Sequence, residues 1–290
     1  MNNEEIIKYI LTLDLSVYKH GSNIIAKYNN WDKLSLTQKK AFPLIVEKYY
    51  TFLSENEKLI GYSDKIIGKR TKLLNDYYDF ININNYDNVF TSQGKFRPTI
   101  LEEFMYILFQ DLIVETKAKI NNGNNDLKIG SSTAYTNLFF SGSNFENFVI
   151  SPSIGINQKD QDFAIYRPID ITIGASNSIK TNLPIVAIEN KTYIDKTMLE
   201  GSIATADKIK SGNPYSLYFI VTENYDVDLK IDPAYSKINQ IYVLRKSKRK
   251  GILQPIFSDV LIDLVNFVKN HLTRNWSDVA KKMSDSGKII

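Results

Sequence analysis

The chain contains no cysteine and only two histidines, His20 and His271, near its opposite ends. Without cysteine there can be no disulfide framework, zinc–thiolate site or thiol nucleophile. Two histidines so far apart give no pattern for a histidine metal site or a catalytic dyad. No apolar run approaches the roughly 18 residues that a membrane helix needs. The first residues carry Glu4 and Glu5 rather than a basic segment, unlike a secretory signal. A cytoplasmic protein with no membrane role is the expectation. What remains for chemistry is carboxylates, lysines and a hard cation such as Mg²⁺.

What is present is ordinary in bulk. Of 290 residues, 43% are hydrophobic and 23% charged, as in a soluble globular protein of one large or two small domains. The net charge of +4 permits a polyanionic partner without demanding one.

The informative stretch is Pro184 to Thr197. Ile185 to Ile188 is a short, mainly β-branched apolar run after a proline, which predicts a buried strand. It runs directly into Glu189-Asn190-Lys191. Charges rarely enter a core unpaired, so a buried strand ending in an acid and an amine marks a site. Strand alternation puts Glu189 and Lys191 on one face and Asn190 on the other.

Around this stretch the order of elements predicts an α/β or α+β core with helices on a mixed sheet. Residues 1 to about 95 read as a helical layer, accessory or DNA-recognizing, and 96–290 as the core. One helix of the first region starts after Pro43, and Gly61, Gly68 and the Asn82–Asn88 cluster mark loops. A helix is predicted from Thr99, with Thr99-Ile-Leu-Glu102 as a capping box. Of the two acids in its first turn, Glu102, at the edge of the apolar stripe, is the better metal candidate than Glu103. A loop holding Gly123 follows. The hydroxyl-rich 130–140 segment suits either phosphate or base contacts or an ordered polar loop. A strand is expected from Asp162 to Gly174, bent at Pro168, then a polar loop over 176–182 leading into the Ile185 strand as an antiparallel neighbour. Thr197-Met-Leu-Glu200 opens a further helix, ended by Gly212-Asn-Pro214. Strands at 217–221 and 241–244 and a helix over 258–272 complete the chain.

A hairpin can bring Asp162 beside Glu189. Two carboxylates, the Asn190 carbonyl and water make a hard-oxygen Mg²⁺ site, and Lys191 can orient or deprotonate the attacking water or stabilize the transition state. Metal-assisted phosphodiester hydrolysis fits this set best. Asp170 is the rival first acid, but Asp162, expected to open its strand, is easier to solvate. Asp160 reads as solvated loop. The Arg245-Lys-Ser-Lys-Arg-Lys250 run is a candidate phosphate clamp through Arg245, Lys246, Lys248, Arg249 and Lys250.

An acid on one strand followed by Glu-x-Lys on the next resembles the PD-(D/E)XK nuclease superfamily. The blocks Lys159-Asp-Gln-Asp-Phe-Ala-Ile165, Glu189-Asn-Lys-Thr192, Asp195-Lys-Thr-Met198 and Ala204-Thr-Ala206 more narrowly resemble type II restriction endonucleases of the DdeI-like group, over about residues 97–250. Gln161 stands where that signature has proline, and the triplet's middle residue is the polar Asn190. The resemblance implies Mg²⁺-dependent cleavage of double-stranded DNA at interrupted CTNAG-type sites, or asymmetric relatives of them, leaving 5′-phosphates. It assigns Asp162 and Glu189 as metal ligands, Lys191 as the catalytic lysine and a helix glutamate at Glu102 or Glu103. Lys196 joins the candidate DNA contacts. It also implies a homodimer or a heterodimer with a second nuclease subunit, and a cognate DNA methyltransferase. The competing readings are a repair or recombination nuclease on the same core, and a non-catalytic DNA-binding protein.

Overall fold

A computed structural model of the chain describes all residues except 1, 91–95, 121–125, 174–176, 275, 277, 288 and 290; the side chains of 173 and 177 are likewise left aside. Five helices lead the chain: α1 (Asn3–Thr12), α2 (Lys19–Asn29), α3 (Leu36–Glu57), α4 (Asp64–Ile83) and the short α5 (Tyr86–Val89). Then come α6 (Phe96–Lys119), β1 (Lys128–Ser141), α7 (Phe145–Ile150), β2 (Ser153–Ile173) and β3 (Asn177–Ile194). The chain continues through α8 (Lys196–Gly212), β4 (Leu217–Tyr225), β5 (Gln240–Val243), α9 (Ser258–Thr273) and α10 (Val279–Ser286). No helix among the described residues is long and apolar enough to cross a membrane.

The sheet has the order β1-β2-β3-β4-β5. Its first three strands are antiparallel and β3, β4 and β5 run parallel, which makes it mixed and the fold α+β, as expected. Parallel neighbours need a crossover, and α8 supplies it between β3 and β4. Alternation then sorts the side chains. Val186, Ile188, Phe219 and Val221 face α6, α9 and the N-terminal helices in one continuous core. Ala187, Tyr218 and Ile220 face Leu199, Ala206 and Ile209 of α8 on the other side. Fully burying a side chain such as Leu199 or Ile209 contributes about 1.5–3 kcal/mol, so α8 is held firmly over the strands that carry the site. The boundary expected near residue 95 falls beside the undescribed stretch 91–95.

Several elements differ from expectation for identifiable reasons. Helix α3 starts at a Ser35/Gln38 capping box, so Pro43 lies inside it rather than before it, forfeiting one backbone bond. Helix α6 begins at Phe96, and Thr99 donates back to the Phe96 carbonyl (2.8 Å) instead of capping. Pro98 is tolerated because the first-turn N–H groups lack helical partners anyway. Gly61 sits in a turn at φ 92°, whereas Gly68 is inside α4. Residues 130–140 form β1, not a loop. Strand β2 begins at Ser153, so Asp162 is interior to it rather than opening it, and it continues through Pro168, with its irregularity at Ile165/Tyr166. The polar residues from 177 to 182 belong to β3. The cap of α8 is Asp195, accepting from Met198 N at 2.9 Å, not Thr197. The Gly123 loop, Gly174 and Ser176 lie outside the described residues.

Candidate active site

Asp162 reaches Glu189 through strand register. Phe163 pairs with Ile188, so the preceding residue of β2 comes beside the following residue of β3. On its other edge β2 carries a bulge: Gly130 pairs with Ala164 and Ser132 with Gln161, leaving Ser131 alone against Asp162 and Phe163. A bulge re-aims side chains, and bulges are frequent beside active sites. Here Gln161, Asp162, Glu189 and Lys191 all line one cleft of about 400 Å³, walled by Met198, Gly201 and Thr205 of α8. A methyl added at Gly201 would meet nothing within 4 Å, so this wall stands low over the cleft. Asp170 is excluded from the group: its cross-strand partner is Lys180, well along the hairpin from Glu189. Asp160 lies on the rim of the same cleft beside Lys159, exposed, and accepts from Thr133 Oγ1 at 2.9 Å.

The three charged groups are tightly engaged. Lys191 Nζ lies 2.9 Å from Glu189 Oε1, with the two side chains 29% and 23% exposed. Glu189 Oε2 accepts from the Tyr218 hydroxyl on β4 and lies 2.9 Å from Ser202 Oγ on α8. Asp162 Oδ2 accepts from the Asn190 backbone N–H at 2.8 Å. Burial pushes the Asp162 carboxyl above its usual range, against the opposing pull of Lys191 and the Asn190 N–H. Burial also acts to raise Glu189, but Lys191 and the hydrogen bonds of Tyr218 and Ser202 outweigh it and the net shift is downward. Burial acts to lower Lys191, and Glu189, Asp162 and Glu102 reverse it, so its ammonium form is favoured.

Charge counting tests the fit of a cation. Lys159 and Asp160, also on the cleft wall, offset each other, which leaves Asp162 and Glu189 against the Lys191 ammonium, with Glu102 adding negative potential. The cleft therefore carries excess negative charge on hard oxygens. Among the described residues no three His, Asp or Glu side chains converge as a ready-made cluster. A cation here would rely on two carboxylates, backbone and water, the donor set Mg²⁺ accepts because it keeps several waters. Glu102 is half-buried and close enough to act on Lys191, but it does not form a three-carboxylate group with Asp162 and Glu189.

Glu103 is elsewhere altogether. It is buried, and its Oε2 accepts from His20 N (2.8 Å) and Gly21 N (3.0 Å) at the start of α2, while Oε1 accepts from Tyr49 (2.8 Å). Tyr18 gives α2 no side-chain cap, and Glu103 serves in its place. The side chain of Asn190 is buried with both polar atoms unpartnered.

The basic run divides. Arg245 does not belong to a surface clamp: it is buried, and its Nε donates to Glu223 Oε2 at 2.8 Å. Glu223 also receives Arg97 through both oxygens (2.9 and 2.7 Å), and Arg97 in turn holds Asp87 at 2.7 Å. Both guanidiniums lie over Tyr78, at 4.6 and 5.4 Å. Lys246 is paired with Asp259. Lys248, Arg249 and Lys250 are exposed, with Arg249 stacked 4.0 Å above the Tyr193 ring. Lys196 is exposed and 3.9 Å from Glu200.

Two contributors escaped the sequence reading, Tyr218 and Ser202. Each left a signal. A tyrosine in a fully buried strand needs a partner for its hydroxyl, and Ser202 interrupts the apolar stripe of α8 between Leu199 and Ala206.

The model of the Bpu10I restriction endonuclease family matches residues 93–258, more than half of the chain and all of the site just described. A solved structure described as the native BbvCI A2B2 tetramer at low resolution shares the fold, with a TM-score of 0.67 and 22% identity over 90% of this chain and 97% of that one. No curated protein matches the chain.

Proposed function

The chain belongs to the Bpu10I restriction endonuclease family, and on that premise we propose that it is a type II restriction endonuclease that hydrolyses phosphodiester bonds of double-stranded DNA with Mg²⁺ in the Asp162–Glu189–Lys191 cleft. The observation that carries the proposal is the convergence of two carboxylates from adjacent strands with a lysine two residues on, in one cleft with negative charge in excess. Asp162 and Glu189 would hold the ion. When bound, Mg²⁺ polarizes phosphate oxygens and lowers the pKa of water.

The protein's own groups do the rest. Lys191 Nζ presents an ammonium to the attacked phosphate or its water, as a donor and positive charge rather than as a base. Tyr218 and Ser202 fix Glu189 Oε2, so the carboxylate cannot swing wholly onto Lys191. The Asn190 N–H fixes Asp162 in the same way. Lys248, Arg249, Lys250 and Lys196 are exposed cations available to DNA phosphates.

The finer reading follows the DdeI-like resemblance: interrupted CTNAG-type or asymmetric sites, 5′-phosphate ends, action as a homodimer or beside a second nuclease subunit, and a cognate methyltransferase protecting host DNA. The BbvCI protein, described as an A2B2 tetramer, supports an oligomeric enzyme.

The test is incubation of the purified chain with long mixed-sequence DNA, with Mg²⁺ and with EDTA. Discrete fragments only with Mg²⁺, ligatable without added kinase, are expected. Cuts confined to one strand would indicate a half-enzyme. Cleavage undiminished in EDTA would refute the metal assignment.

A further inference from the structure

The β1–α7–β2 hairpin leaves the body of the protein as an arm. No residue from 137 to 160 is buried. Over its outer part β2 pairs with β1 alone, since β3 joins β2 only from Phe163 onward. A two-stranded ribbon without a core is marginal in water. Yet this arm ends in a concentration of exposed apolar side chains: Phe145 (83%), Ile150 (73%), Val149 (63%), Phe140 (57%), Phe148 and Phe139. Scattered apolar residues at a surface are unremarkable, but a contiguous group of this size marks an interface.

The charge pattern narrows what covers it. Between Lys128 and Lys159 the only charged residue is Glu146. DNA is a poor occupant of the tip, because phosphate binding needs lysine or arginine and the stretch between Lys128 and Lys159 has neither. A membrane surface is poor for the same reason, and α7, at six residues, is less than two turns. We infer that the arm tip is a self-association surface, which packs against the same tip of a second copy of this chain about a two-fold axis. A two-fold contact sets a patch against itself, so it is penalized when the patch is charged; this patch, on a chain of net charge +4, is almost free of charge. Phe139 and Phe140 alternate to opposite faces of β1, so the α7 side chains with one of these phenylalanines offer roughly 500 Å² of apolar surface per copy, a small interface beside the roughly 800 Å² per partner of a standard one. This inference does not depend on the nuclease reading.

The experiment is sedimentation of the full chain over a low to high micromolar range, for the native protein and for Phe145→Asp/Ile150→Asp. The native chain should associate to a dimer, and the double variant should weaken that dimer at least about tenfold, as loss of interface anchors does. Because neither position belongs to the core, circular dichroism and melting temperature should not change. The absence of cysteine adds an independent readout: Glu146→Cys introduces the sole thiol and should give an interchain disulfide on mild oxidation, whereas Ile60→Cys, exposed on the helical layer, should not. A native chain that stays monomeric at all concentrations overturns the inference. So does a dimer that the double variant leaves intact.

Discussion

Glu189 and Glu223 stand on neighbouring parallel strands, each held by a basic side chain, and they do opposite things. Glu223 is 1% exposed, and its oxygens accept from Arg97 and Arg245. Asp87, itself 27% exposed at the edge of the group, completes a set of two acids and two guanidiniums, so the charges around the buried Glu223–Arg245 pair balance. Glu189 is 23% exposed in an open cleft. It shares one ammonium with Asp162, so the charges there do not balance. The difference teaches that an acid–base pair on a strand is not diagnostic by itself. What separates a tie from a site is uncompensated charge combined with access.

The largest effect that sharpens this contrast is catalytic. Glu189→Gln or Lys191→Ala should reduce DNA cleavage by at least about a hundredfold, the scale of losing one transition-state contact, with the melting temperature nearly unchanged. Glu223→Gln should do the reverse. It leaves buried guanidiniums undercompensated and should cost about 3–5 kcal/mol of stability, read from urea unfolding, while protein still folded keeps its specific activity.

A third glutamate extends the comparison. Glu103 is buried with hydrogen bonds but no cation, and burial raises its pKa to about 7 despite the Gly21, Tyr49 and His20 donors. The folded state therefore binds this proton more tightly than the unfolded state, whose value is near the ordinary 4.5 of a glutamate. The contribution is fully present below pH 4.5 and is lost as pH rises through 7. Unfolding free energies of the native chain minus those of Glu103→Gln should fall across that window by about 3 kcal/mol. His20, lowered to about 3 chiefly by burial, acts with opposite sign as pH falls below 6.5, but is common to both proteins. A difference that is flat with pH would contradict the buried, cation-free description of Glu103.

Smaller effects test the supports of the site. Tyr218→Phe removes only the hydroxyl that holds Glu189 Oε2. It should raise the Mg²⁺ concentration for half-maximal cleavage several-fold, with the plateau rate recovered at high Mg²⁺ and stability changed by about 1 kcal/mol. An unchanged Mg²⁺ midpoint would make that hydrogen bond merely structural. Least of all, Lys248→Ala or Lys250→Ala should lower the salt slope of DNA binding by about one each, without altering the cleavage pattern.

The legibility of the molecule follows the same physics. The Ile185–Lys191 strand, the capped α8, β4 and α9 were readable because each buries a face and so imposes a period on the sequence. β1, the outer half of β2 and the start of β3 were not. Their Ser, Thr and Asn residues lie half-exposed in a hairpin, where no alternation is enforced. The positions of Asp162, Glu189 and Lys191 in one cleft could be anticipated because consecutive strands bring them together. Tyr218 and Ser202 come from different elements, and only the packed structure shows them meeting Glu189. Arg245 was misjudged because a run of positive residues does not reveal which one turns inward to meet Glu223.

The most direct test is a side-by-side digestion of long DNA with Mg²⁺ by the native chain, Glu189→Gln and Glu223→Gln, at a temperature where all three are folded. Matching fragment patterns from the native chain and Glu223→Gln, with none from Glu189→Gln, are the predicted result. Cleavage by Glu189→Gln at the native rate, or its selective loss in folded Glu223→Gln, would contradict the account.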